Sequence, residues 1–230
     1  KKALPAAEQL ATALASVDFR AIQLDLHQRT ISLQKPGMQL DLGALAKGYA
    51  ADEALRLFRE QGITRVLVDA GGALAVGDPP PGQDYWRGAV EALRDKSDPE
   101  AASLLQLRNC AVATSGDAYQ YVEIEGVRYS HIVDVRTGLG LTTRSSVTVI
   151  APTCMLADGW ATAICALGPE RGMQLIEEQP GCAARIAVAA SQHNSANSDP
   201  GISNPVRIMT SSDFQQYLAT VVGGADQSQE

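Results

Sequence analysis

Asp158 and Thr162 stand four residues apart in the stretch "ADGWAT". On a helix that spacing puts a carboxylate and a hydroxyl on one face. Both are hard oxygen donors. A hard cation such as Mg²⁺ takes one or two carboxylate oxygens, with neutral oxygens, substrate phosphates and water completing its shell. The same spacing also suits a plainer arrangement, in which Asp158 is an N-terminal helix residue favoured by the macrodipole and Thr162 bonds back to a carbonyl.

Lys47 lies in "DLGALAKGYAAD". Gly43 there precedes a helix expected from Ala46 to about Gln61, closed by Gly62. A helix N-terminus draws anions through its unpaired N–H groups and its dipole. A lysine in the first turn is where that dipole least favours a cation, so Lys47 points to an anionic partner or to a surface pairing with Asp41 or Asp52. The GxxxxGK[ST] pattern of a phosphate loop is missing.

His131, one of three histidines, stands in "SHIVDVRTG" between an apolar strand pattern and an Arg-Thr-Gly turn. Histidine exchanges a proton near neutral pH most easily, so His131 is a candidate general base; a satisfied strand-end histidine is the plain alternative. Ser115 and Gly116 in "VATSGDAY" follow a strand, where a hydroxyl and a backbone N–H can face a ligand. Arg136-Thr137-Gly138 is a turn that presents a positive charge. His27 at a hairpin tip and His193 in a polar loop read as solvated. No GxSxG elbow, HExxH pair or Cys-His pairing occurs.

The elements that must position these groups follow from periodicity. Residues 6 to 16 read as a helix, with Ala6, Leu10, Ala13 and Leu14 on one face. "FRAIQLDLHQRTISLQ" alternates twice around His27, Gln28 and Arg29, the pattern of a hairpin. "TRVLVDAGG" is a short strand ending in a glycine pair that allows close backbone approach. Strands are expected at "WRGAVEAL", 104–107, 111–114, "SSVTVIAP", "ARIAVAA" and "VRIMT", with a hairpin at "YVEIEGVRYSHIV" turning at Glu-Gly. Helices are expected at "CMLADGWATAICALG" and at "PERGMQLIEEQPG", the latter capped near Gly181. Strands outnumber helices and pair as hairpins, so the expected class is α+β with a mainly antiparallel sheet packed with helices. One domain over 1–222 is expected, with a turn-rich loop at 191–204 and a frayed tail at 223–230.

The chain has 230 residues, 45% hydrophobic and 5% aromatic, with a formal charge of -7. It is long enough to bury a core without disulfide staples. The acidic balance, with no clustered basic surface, argues against a nucleic-acid partner. No apolar run approaches the roughly 20 residues of a membrane span. The start at Lys1 is read as processing or trimming, with any targeting segment lost. Cys110, Cys154, Cys165 and Cys182 show no metal or redox spacing and read as buried thiols.

Taken in order, "DLGALAKGYAAD", "VDAGG", "ATSG", "YSHIVDVRTG" and "ADGWATAICALGPERG" resemble the ApbE or FAD:protein FMN transferase family, from about residue 6 to the last strand. The resemblance implies an ApbE-like fold and a bacterial enzyme, mostly periplasmic or an inner-membrane lipoprotein. With Mg²⁺ it splits FAD, joining FMN through its phosphate to a Thr or Ser hydroxyl of an acceptor protein, such as a redox-pump subunit, and releasing AMP. Carried across, Asp158 and Thr162 match the side-chain metal ligands and Ala44 the position that offers its carbonyl to the metal. Asp41 and Lys47 match positions lining the FAD site, Ile132 a flavin contact and His131 the catalytic histidine. Ser115 and Gly116 belong to a motif near the flavin. Ala73 stands where the family usually has an acidic or amide residue, and Val135 where it has proline. Full-length members carry roughly another 100 residues ahead of the matching point, the scale of a domain unit, which add FAD contacts and any lipid anchor. Two alternatives belong to the same resemblance: a metal-dependent FAD pyrophosphatase giving FMN and AMP, and a non-catalytic FAD-binding lipoprotein domain.

Overall fold

The structure is a computed structural model that describes residues 3–90, 93, 103–116, 120–189 and 206–219. The loop expected at 191–204 and the tail expected at 223–230 lie outside the described residues. Helix α1 (Ala7–Ala15) leads into the hairpin β1 (Ile22–Asp25) and β2 (Thr30–Leu33). Its tip has the chemistry of a tight turn: the Asp25 carboxylate accepts from the Gln28 N–H at 2.8 Å, and Arg29 takes a positive φ of 52°.

Helix α2 (Gly43–Glu60) starts three residues earlier than its apolar period indicates. The reason is Asp41, whose carboxylate accepts from the Gly43 N–H at 2.7 Å and so satisfies one of the orphan donors of the first turn. Lys47 therefore sits in the second turn of α2, not the first.

Strands β3 (Leu67–Asp69), β4 (Ala73–Val76), β7 (Ala111–Gly116), β10 (Ser145–Ala151), β11 (Ala183–Ala189) and β12 (Val206–Thr210) form one antiparallel sheet, in the order β12-β11-β10-β7-β4-β3. The hairpins β5 (Trp86–Val90) with β6 (Ser103–Leu107), and β8 (Tyr121–Ile124) with β9 (Val127–Ser130), stand apart from it. The antiparallel α+β expectation holds, and Glu125-Gly126 makes the β8–β9 turn with positive φ at both residues.

Alternation along β7 and β10 decides what each face of the sheet receives. Ala111, Ala113, Val147 and Val149 join Ala184 and Ile186 under α2, α3 (Cys154–Leu167) and α4 (Pro169–Glu177). Val112, Ile150 and Ala183 face the other way, against Val90, Leu105, Leu107 and Phe214. Ser115 is opposite Val147 in register, so its hydroxyl points to the helical side. Gly168, at φ 85°, ends α3 and lets Pro169 begin α4, which stops at Glu177, short of Pro180, a residue that cannot continue a helix. Gly181 instead occupies a turn with φ 71°. Among the described residues no helix is long and apolar enough to cross a membrane.

Candidate active site

Helices α2 and α3 cross at glycine contact distance. A Cβ on Gly48 lies 2.3 Å from the Cys154 carbonyl oxygen, so only glycine fits there. Ala51 and Leu55, one and two turns further along α2, bury against the same surface as Cys154, Ala157 and Ala161. The close approach brings Lys47 to Asp158, the fifth residue of α3.

Asp158 is 1% exposed. Its carboxylate accepts from Lys47 Nζ at 2.8 Å through Oδ1 and 3.1 Å through Oδ2, and from the Gly48 backbone N–H at 3.1 Å. A buried carboxylate without a counter-charge is costly, and Lys47 supplies that charge from a half-exposed position. The anionic partner of Lys47 is thus Asp158, 111 residues away, and neither Asp41 nor Asp52. In a regular helix the Gly48 N–H is aimed at the Ala44 carbonyl. Here the Asp158 carboxylate engages that N–H, one turn beyond Ala44, which is itself half-buried.

Thr162 lies one turn along α3 from Asp158. Its hydroxyl does not bond back to a carbonyl; it meets the Ser115 hydroxyl at 3.0 Å. Ser115 and Gly116 are the last two residues of β7, inside the strand where the sequence reading puts them after it. A Cβ on Gly116 lies 2.4 Å from the Ser145 carbonyl oxygen, so this end of the strand is tied to β10. Next to it, Thr114 donates its backbone N–H to the Gly72 carbonyl at 3.2 Å. The Gly71-Gly72 turn is itself held by Asp69, whose carboxylate accepts from both glycine N–H groups at 2.9 and 3.2 Å.

His131 follows β9 and is exposed. Its Nδ1 is 3.1 Å from the Gln120 carbonyl oxygen, which also accepts the His131 backbone N–H at 3.2 Å. A carbonyl only accepts, so Nδ1 carries the proton and Nε2 keeps its lone pair in the neutral ring. Ile132 is 8% exposed and belongs to the core shared with Ala157 and Ala161; its N–H donates to the Ser130 hydroxyl at 3.1 Å. Arg136 does not present a free charge. Its guanidinium holds both Asp134 oxygens, at 3.0 and 2.8 Å, and keeps that carboxyl below the usual carboxylate range. The turn is packed by α1, since a Cβ on Gly138 lies 2.7 Å from Leu10 Cδ1.

Three supporting residues escape a reading by motif. Asp52 accepts from the Cys154 and Met155 N–H groups at 2.8 and 2.9 Å, capping α3 from another helix. The Thr114 and Thr148 hydroxyls pair at 2.9 Å across β7 and β10. Gly48, Ala51 and Asp52 lie on one stripe of α2, and that small-residue stripe is the signal that marks a close helix contact.

Among the described residues no group of three His, Cys, Asp or Glu side chains gathers around one point. The side-chain donors are instead one buried carboxylate and one hydroxyl, one turn apart on α3. This fits a hard cation that relies on substrate phosphates and water for the rest of its shell. The buried carboxylate already carries a cation, the Lys47 ammonium, which marks the spot as one for positive charge. A cleft of ≈ 530 Å³ lies elsewhere, lined by Thr64, Arg65, Asp78, Pro80 and Arg108, and none of these site residues lines it.

The sequence model of the ApbE family matches residues 1–186. An FAD:protein FMN transferase of Klebsiella pneumoniae (strain 342) is 37% identical over 178 residues, covering 76% of this chain and 51% of that protein. The chain thus spans about half the length of the curated relatives it matches. Among solved structures, the flavin transferase ApbE from Vibrio cholerae is similar with a TM-score of 0.77 and 28% identity, over 95% of this chain and 64% of that one. The apo form of the Pseudomonas stutzeri flavinyl transferase ApbE is similar with a TM-score of 0.74 and 30% identity, over 94% and 62%.

Proposed function

Because the chain belongs to the ApbE family, we propose that it carries the diphosphate- and cation-handling part of an FAD:protein FMN transferase. It moves FMN from FAD to a Thr or Ser hydroxyl of an acceptor protein, with Mg²⁺ as the cation and AMP as the second product. The observation that carries this reading is the 1%-exposed Asp158 carboxylate, held by a half-exposed ammonium, one turn from the Thr162 hydroxyl.

In that reading Asp158, Thr162 and the Ala44 carbonyl hold the cation, which when bound neutralises the diphosphate and steadies the leaving AMP. Lys47 and the first turn of α2 face the phosphates. His131 accepts the acceptor hydroxyl's proton at Nε2, the nitrogen left free by the Gln120 contact. The hydroxyl oxygen bonds to the FMN phosphorus as the bond from that phosphorus to the bridging oxygen breaks, and AMP departs with that oxygen. Asp41 shapes the approach by capping α2. On the same family ground we place the protein in the periplasm or tethered to the inner membrane by a lipid anchor.

The test is flavinylation of a threonine-bearing acceptor domain by the Asp158→Ala, Thr162→Ala double variant, followed as in-gel flavin fluorescence. Loss of labelling is expected. Labelling at the unsubstituted rate overturns the reading. AMP with free FMN and no labelled protein assigns hydrolysis instead, and tight FAD binding with no AMP assigns a binding domain.

A further inference from the structure

The two side chains expected to hold a cation are both engaged internally. Thr162 is paired with Ser115, and the Asp158 carboxylate is covered at both oxygens by Lys47 Nζ. The second engagement is the more consequential, because an ammonium at 2.8 Å from Oδ1 and 3.1 Å from Oδ2 stands where a metal ion approaching that carboxylate must stand. Two cations cannot share one carboxylate at contact distance without strong mutual repulsion.

The rest of Lys47's surroundings decides where it goes. Its side chain is 47% exposed while that of Asp158 is 2% exposed. The carboxylate is fixed from behind by the Gly48 N–H, and its helix is locked in place by the Gly48 contact and the Asp52 cap. The lysine is on a flexible four-carbon stem with open solvent beyond it. Of the two partners, only Lys47 is free to move, and the anion that draws it outward has to come from solution.

We propose that Lys47 is the resident counter-ion of Asp158 in the nucleotide-free chain, and that it leaves this carboxylate for the diphosphate of an incoming nucleotide. Cation binding at Asp158 is therefore coupled to nucleotide: the phosphates draw the lysine away, and the carboxylate opens to the metal. This deepens the reading given above and rests on it. It adds an order of events, since a chain with Lys47 seated resists the cation until a diphosphate arrives. By linkage the cation and the nucleotide each tighten the other's binding by the same factor.

The experiment is Mn²⁺ binding, followed by the free-ion signal in electron paramagnetic resonance, for the unsubstituted chain, Lys47→Gln, Lys47→Arg and Asp158→Asn, each without nucleotide and with ADP as the diphosphate probe. Without ADP, Lys47→Gln is expected to bind Mn²⁺ about tenfold tighter than the unsubstituted chain, and Lys47→Arg, which keeps a bidentate pairing, no tighter than it. ADP is expected to tighten Mn²⁺ binding by about tenfold in the unsubstituted chain and by a smaller factor in Lys47→Gln. Equal or weaker Mn²⁺ binding by a folded Lys47→Gln chain overturns the proposal. If that variant fails to fold, the Lys47→Arg comparison stands in: Mn²⁺ binding that tightens with arginine overturns it equally. Asp158→Asn separates this failure from that of the functional reading, because unchanged Mn²⁺ binding there removes Asp158 from the metal site altogether.

Discussion

The hydroxyls of Ser115 and Thr162 lie 3.0 Å apart, joining the end of the central strand β7 to the second half of α3. A hydroxyl has one proton and two lone pairs, so Thr162 keeps a lone pair for an outside partner while this bond fixes its rotamer. The strand thus orients a helix side chain that faces the site.

Ser115→Ala is expected to lower Mg²⁺-dependent FAD cleavage by about 10- to 100-fold, the range found when a group that orients a metal ligand is lost. The same change costs about 1 kcal/mol of stability, measured by urea unfolding. Cleavage at the unsubstituted rate removes Ser115 from that role.

Gly48→Ala is expected to destabilise strongly, by about 1–3 kcal/mol or more, because its new methyl meets the Cys154 backbone at 2.3 Å and neither helix can yield cheaply. Separating the helices also pulls Lys47 from Asp158. Thermal melts together with Mn²⁺ binding read both effects; an unchanged melting temperature contradicts the close crossing.

Asp52→Ala removes the acceptor of two N–H groups at the start of α3. About 1–2 kcal/mol of stability is expected to go, the range for losing a helix cap. Asp52→Asn, which keeps one acceptor oxygen, is expected to lose less. Equal stability of the three proteins in urea speaks against the cap.

Burial, with the Asp52 and Asp158 carboxylates nearby, pushes the Cys154 thiol up from 9.0 to about 12. The folded state therefore holds this proton more tightly than the unfolded chain does. The resulting stabilisation is whole below about pH 9 and fades as pH rises towards about 12. All four cysteines are buried, and the Cys110 and Cys182 thiols are pushed up as well. Native protein at pH 8 is expected to react slowly with a thiol-disulfide reagent and unfolded protein quickly. Rapid labelling of Cys154 in the native chain contradicts its burial beneath α2.

Much of the frame is legible in the residues. Hairpin tips carry their own signals, as Asp25 and Glu125-Gly126 do, and the apolar runs "SSVTVIAP" and "ARIAVAA" mark two paired strands of the sheet. The ApbE blocks single out Asp158, Thr162 and His131 as candidates. What escapes is pairing across long separations. Nothing local ties Lys47 to a carboxylate 111 residues away, or Asp52 to the first turn of another helix. Those contacts depend on Gly48 being small enough to let α2 touch α3, which is a fact of packing and not of period. The start of α2 escapes for a different reason: Asp41 adds a polar cap ahead of the apolar pattern, so the helix begins before its hydrophobic face does.

The most direct measurement of the central claim is to incubate the chain with FAD, Mg²⁺ and a threonine-bearing acceptor domain, following AMP release and the flavin fluorescence of the acceptor in parallel. The account predicts AMP and labelled acceptor in equal amounts, both abolished by a chelator and both lost in His131→Ala. Labelled acceptor that forms at the same rate with the chelator present, or without any AMP, contradicts it.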